Sequence, residues 1–142
     1  MCIRDRVWKA HAITDEPRPT KVNSDGTRMF GPAGAAIWST PTVDAKRGLV
    51  YAGTGNSYTE VETEVSDALV AFDMRTGERK WVSQVLKGDN SIVNCGGRVT
   101  GNCPNPAGPN LAFGSSPILR TLKNSQPVIV VGNESGICLL QT

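Results

Sequence analysis

Ala71-Phe72-Asp73-Met74-Arg75-Thr76-Gly77-Glu78-Arg79-Lys80-Trp81 is the stretch that decides the fold. Asp73 and Thr76 are residue types whose side chains hydrogen-bond the backbone of a tight turn. Gly77 supplies a positive φ without steric cost. The apolar run Ala68 to Phe72 and the segment Glu78 to Val85 therefore read as two strands joined by that turn. Working upstream, Leu49 to Ala52 is a buried strand that runs into Gly53-Thr54-Gly55-Asn56. Asp44-Ala45-Lys46-Arg47-Gly48 is a turn. Ala35 to Val43 is a first strand, and its Pro41 suits an edge or a bulge.

Four antiparallel strands joined by turns make one blade of a β-propeller, so the fold class is all-β. Farther out, Val7 to Ile13 reads as the end of a strand. Thr14 to Gly34 reads as a long polar loop. Downstream, the 26 residues from Leu86 to Leu111 form an irregular excursion. The strand series then restarts: Ser116 to Thr121, Gln126 to Gly132 and a third run from Ile137 to Leu140. Pro41 and Pro117 hold equivalent places 76 residues apart, more than a plain blade of about 40 to 50 residues. The excursion accounts for the difference. A single blade cannot bury both of its faces, so the expectation is a partial propeller, one complete blade plus parts of two neighbours.

Composition limits the function. The 142 residues suit one domain, and a net charge of +2 with scattered Lys and Arg gives no nucleic-acid footprint. No apolar run approaches the roughly 18 to 20 residues that cross a bilayer. Met1-Cys2-Ile3-Arg4-Asp5-Arg6 reads as a translated sequencing adapter and is set aside, which leaves residues 7–142 as part of a single domain. Cys95 and Cys103 have seven residues between them. Paired zinc-binding cysteines are usually two to four apart, so the spacing favours a local disulfide over a metal knuckle. A disulfide implies an oxidising compartment, the periplasm or the outside of the cell. His11, the one histidine, has no metal-ligand spacing.

The quoted stretch matches the tryptophan docking motif of quinoprotein propellers, Ala-x-Asp-x-x-Thr-Gly-x-x-x-Trp, at every specified position. Trp8 stands where the preceding copy would end. A second segment is Trp38-Ser39-Thr40-Pro41-Thr42-Val43-Asp44 with Leu49-Val50-Tyr51-Ala52-Gly53-Thr54-Gly55-Asn56. It resembles the active-site blade of the pyrroloquinoline-quinone (PQQ) dependent alcohol dehydrogenases. Gly31 to Trp38, Gly88-Asp89, Cys95, Asn102-Cys103-Pro104 and Gly108-Pro109 are most similar to the polyvinyl alcohol dehydrogenase branch. The resemblance covers nearly all of residues 7 to 137 and implies a propeller that is eight-bladed when complete.

The resemblance also implies a site. Trp38 would stack on PQQ, a planar tricarboxylate, and Asn56 would ligate a calcium ion, a hard cation that takes oxygen ligands. An alcohol would lose its proton to a carboxylate, and a c-type cytochrome would accept the electrons. No Cys-x-x-Cys-His is present for a haem of its own. Two departures stand out. The family's proton-accepting aspartate falls at Ile92, three residues beyond Asp89, which makes Asp89 the candidate substitute. Glu134 stands where the family has Arg or Lys, the wrong sign beside a quinone that accepts negative charge. The expected function is a periplasmic or secreted dehydrogenase of secondary alcohols or hydroxylated polymers. The competing expectation is a non-catalytic scaffold of the outer-membrane assembly lipoprotein type, with the same docking motifs and no cofactor.

Overall fold

The computed structural model describes residues 5–92, 95, 103–104 and 108–141. Among the described residues, nine strands form three antiparallel sheets. A hairpin pairs β1 (Arg18–Val22) with β2 (Arg28–Gly31). A four-stranded sheet runs in the order β3 (Thr42–Asp44), β4 (Leu49–Gly53), β5 (Ala68–Asp73) and β6 (Arg79–Gln84). A three-stranded sheet holds β7 (Ile118–Thr121), β8 (Pro127–Gly132) and β9 (Cys138–Gln141). This is one complete propeller blade followed by most of the next, as the turn chemistry predicts.

The β5–β6 turn closes as its residue types require. Asp73 Oδ1 accepts the amides of Arg75 and Thr76 at 2.9 and 3.0 Å, and Thr76 Oγ1 accepts that of Glu78 at 3.2 Å. Gly77 has φ 75°. Trp8 lies flat on this glycine, since a Cβ there would come within 2.6 Å of the indole. The Trp8 Nε1–H donates to the Met74 carbonyl at 2.9 Å. One tryptophan thus fastens residues 5–13 onto the following blade. Val7 to Ile13, expected to end a strand, forms no strand: this anchoring, and not a sheet ladder, fixes its path.

The side chains of β5 alternate between two cores. Ala68, Val70 and Phe72 pack with Ala10 and Val82 on one face. Leu69 and Ala71 pack with Tyr51, Phe113, Ile129 and Val131 on the other, which joins the complete blade to the next. Ala71 pairs with Tyr51 on β4 and with Trp81 on β6. The small alanine between them lets the two rings meet at 5.7 Å.

Two expectations need correction. Thr14 to Gly34 is not a structureless loop but carries the β1–β2 hairpin. Its turn is built on Asn23, whose Oδ1 accepts the amides of Asp25 and Thr27 at 3.1 and 2.8 Å, with Gly26 at φ 80°. Both strands are mostly exposed, so no apolar alternation announced them. The expected strand Ala35 to Val43 is confined to Thr42–Asp44 plus isolated bridges at Gly34 and Ile37. Cys95 and Cys103 form the disulfide, with a Cα separation of 5.4 Å. The residues 96–102 between them lie outside the described set. Cys138 is a free, exposed thiol on β9.

Candidate functional site

The end of β4 organises one pole of the blade. Two antiparallel bridges, Gly34–Ser57 and Ile37–Thr54, fold residues 34–38 back over the Gly53-Thr54-Gly55-Asn56 run. Amides hold the fold: Ala35 N donates to the Asn56 carbonyl at 2.8 Å, and Gly55 N to the Ala36 carbonyl at 3.0 Å. These bridges place Trp38 beside Gly55, one residue from Asn56. The sequence spacing of Trp38 and Asn56 thus becomes a spatial neighbourhood.

Trp38 is 57% exposed, which is high for a tryptophan. Its indole is braced by two glycines. A Cβ at Gly55 would sit 3.1 Å from Nε1, and one at Gly114 would sit 3.0 Å from Cη2. Side chains at either position would push the ring out of place. The result is a fixed aromatic surface with more than half of its area open.

The segment 108–114 returns from the excursion across this same pole. Phe113 is fully buried between the two blades, and its amide donates to the Thr54 carbonyl at 3.1 Å. Gly114 lies against Trp38, and Asn110 meets Asn56: the Asn56 Nδ2 donates to the Asn110 Oδ1. The Asn56 carboxamide oxygen is left without a protein donor among the described residues. Sequence reasoning missed Asn110 and Gly114. Gly108-Pro109 was the only nearby signal, and an Asn in a loop looks like any other turn residue.

Asp89 is 1% exposed. Its Oδ1 accepts the Ser91 amide at 3.2 Å and its Oδ2 the Leu111 amide at 3.1 Å. The carboxylate therefore ties the two ends of the excursion together, one residue from Asn110. Ile92 is half-buried on the same loop. Glu134, in the β8–β9 turn, accepts the Ala112 amide at 3.3 Å, and its own amide donates to the Ala112 carbonyl at 3.1 Å. His11 is exposed and lies in the segment that leads from Trp8 to the hairpin.

Asp67 is a group no sequence signal picked out. It precedes β5 with φ 47°, is 2% exposed, and donates its amide to the Gly55 carbonyl at 3.0 Å. Neither carboxylate oxygen has a hydrogen-bond partner among the described residues. Burial, then the negative charges of Asp89 and Glu134, push its pKa up to about 7.

The residues present fit a flat cofactor on Trp38, and the Asn56 oxygen, without a donor among the described residues, fits a hard cation as one donor of several. Among the described residues, no group of three His, Cys, Asp or Glu side chains gathers into a metal site.

The all-strand blades, the tryptophan docking and the open aromatic surface define a quinoprotein-type propeller. The family described as the glucose/ethanol/alcohol dehydrogenase β-propeller domain (PQQ) matches residues 5–91. The chain belongs to that family. It is 50% identical to the polyvinylalcohol dehydrogenase of a Pseudomonas species over 92% of its length, and 45% identical to that of Sphingopyxis sp. (strain 113P3), also over 92%. It spans 20% of the length of each of these relatives. The fold is similar to the crystal structure of quinohemoprotein alcohol dehydrogenase from Comamonas testosteroni. The TM-score is 0.54 at 24% identity, over 75% of this chain and 15% of that one.

Proposed function

We propose that the chain is part of a PQQ-dependent alcohol dehydrogenase that oxidises secondary alcohols or hydroxylated polymers such as polyvinyl alcohol. One observation carries this reading: the Trp38 ring, braced by Gly55 and Gly114 and open on more than half of its area, next to Asn56, whose carboxamide oxygen has no donor among the described residues. Bound there, PQQ supplies a two-electron acceptor and a calcium ion supplies Lewis acidity. Trp38 stacks and orients the flat ring. Asn56 gives one oxygen to the cation, and the other donors come from elsewhere in an eight-bladed propeller. Asp89 is the proposed proton acceptor. A c-type cytochrome takes the electrons, and the Cys95–Cys103 disulfide suits a periplasmic or secreted protein.

The tied states of Asp89 and Glu134 favour a second reading, a non-catalytic PQQ-like scaffold. A substrate hydroxyl reaches Asp89 only if the Ser91 and Leu111 amides release it.

The test uses the complete propeller, loaded with calcium and titrated with PQQ while tryptophan fluorescence is followed. Trp38→Ala is expected to weaken PQQ binding about tenfold or more, given the large contact area of an aromatic platform. Dye-linked alcohol oxidation is expected to be weak, because Ile92 and Glu134 replace useful groups. Asp89→Asn should abolish that residual rate and spare PQQ binding. If it lowers only the melting temperature, Asp89 is a loop tie and not a proton acceptor. Failure of the calcium-loaded propeller to bind PQQ at all promotes the scaffold.

A further inference from the structure

We propose that Asn110 is a positioning residue for Asn56: it accepts the Asn56 amide hydrogen and so holds the Asn56 carbonyl oxygen available to a hard divalent cation. The inference rests on the reading of Asn56 as a cation ligand and adds a residue which that reading does not contain.

A carboxamide offers an oxygen at one end and an NH2 at the other, and only the oxygen binds a cation. A free asparagine at the end of a strand presents either end. A partner that accepts from the nitrogen favours the orientation that leaves the oxygen open. Asn110 Oδ1 is that acceptor, since it takes the Asn56 Nδ2–H. The contact joins positions 54 residues apart, and both side chains are short.

The backbone around Asn110 is built to hold it there. Its φ of 60° is left-handed, a conformation that Asn tolerates better than most residues. The next three residues are each fastened. The Leu111 amide donates to Asp89 and its carbonyl accepts from Asn133 Nδ2; the Ala112 amide donates to Glu134; the Phe113 amide donates to Thr54. Phe113 is fully buried directly behind them. Asn110 itself is exposed, so its side chain is presented at the pole while its backbone is not free to move. Asp89 and Glu134 thus act on the pole through the 108–113 segment and not by touching Asn56.

Partners of this kind behind metal ligands change affinity by about 10- to 100-fold when removed. The experiment measures calcium affinity by titration calorimetry on the complete propeller without PQQ, for wild type, Asn110→Ala, Asn110→Asp and Asn56→Ala. Melting temperatures are recorded for each. Asn110→Ala should weaken calcium about tenfold or more without lowering the melting temperature by more than a few degrees. Asn110→Asp keeps an acceptor oxygen at the same place and should bind calcium at least as tightly as wild type. Asn56→Ala should lose the site. If Asn110→Ala binds like wild type while Asn56→Ala does not, the positioning role is wrong and the ligand reading stands. If Asn110→Asp is as weak as Asn110→Ala, the acceptor role is also wrong. If Asn56→Ala keeps full calcium affinity, the ligand reading itself fails.

Discussion

Asp67 is the residue whose chemistry is least at rest. An ionised carboxylate with no donor among the described residues, enclosed beside two other acids, is unfavourable, and the folded protein answers by keeping the proton up to about pH 7. Unfolded, the same group ionises near its ordinary value of 3.8. Between those two pH values the native state holds the extra proton, so this group's contribution to stability is full below pH 3.8, falls as pH rises, and levels off above about 7. Asp67→Asn has no proton to lose. Its denaturant midpoint should match wild type near pH 4 and exceed it at pH 8, by an energy on the order of a few kcal/mol. Parallel pH–stability curves for the two proteins would show that Asp67 finds a counter-charge in the complete propeller. Nothing in Ser66-Asp67-Ala68 separates this acid from a solvated loop aspartate. Its amide is bound to the Gly55 carbonyl and its charged neighbours are Asp89 and Glu134, none of them local in sequence.

At the scale of elements, the turns of the four-stranded sheet at 44–48 and 73–77 were legible and the crossings were not. The β5–β6 turn could be read because Asp73, Thr76 and Gly77 do their work within five residues, with no help from the rest of the chain. The bridges that bring Trp38 to Gly55 needed two segments to meet, and only a family spacing suggested it. The β1–β2 hairpin was missed because its strands bury almost nothing, so the hydrophobic period that marks a strand is absent. The β5–β6 turn also has a second duty, as the seat for Trp8, and this can be separated from its own geometry. Gly26 and Gly77 have similar backbones, φ 80° and 75°, but a Cβ meets nothing at Gly26 and meets the Trp8 indole at 2.6 Å at Gly77. Both alanine variants bear the left-handed backbone cost of about 1–2 kcal/mol. Gly77→Ala should lose about 1–3 kcal/mol more, the usual cost of overpacking, with a shift in Trp8 fluorescence. Equal losses in chemical denaturation would mean that Trp8 does not press on the turn.

For the molecule as a whole, the question is what couples one blade to the next and both to the pole. Strand β5 is enclosed on both faces, by residues 10–13 with Val82 on one and by β8 with Phe113 on the other. Phe113 stands at the centre of the second contact. It belongs to neither sheet, yet it packs with Tyr51, Leu69 and Ala71 from one blade and with Ile129 and Val131 from the next. The same residue fixes the segment that carries Asn110 and Gly114 to the site. Phe113→Ala should therefore cost about 3–5 kcal/mol, as buried Phe truncations do. The loss should also be shared: hydrogen exchange should speed up at β5 and at β8 together. Val22→Ala, at a hairpin residue that is 63% exposed, should change neither. Calcium affinity should fall with Phe113→Ala even though residue 113 offers no oxygen from its side chain, because Asn110 loses its footing. Exchange that accelerates in only one of the two sheets would show that the blades hold their shapes independently and that Phe113 merely fills space between them.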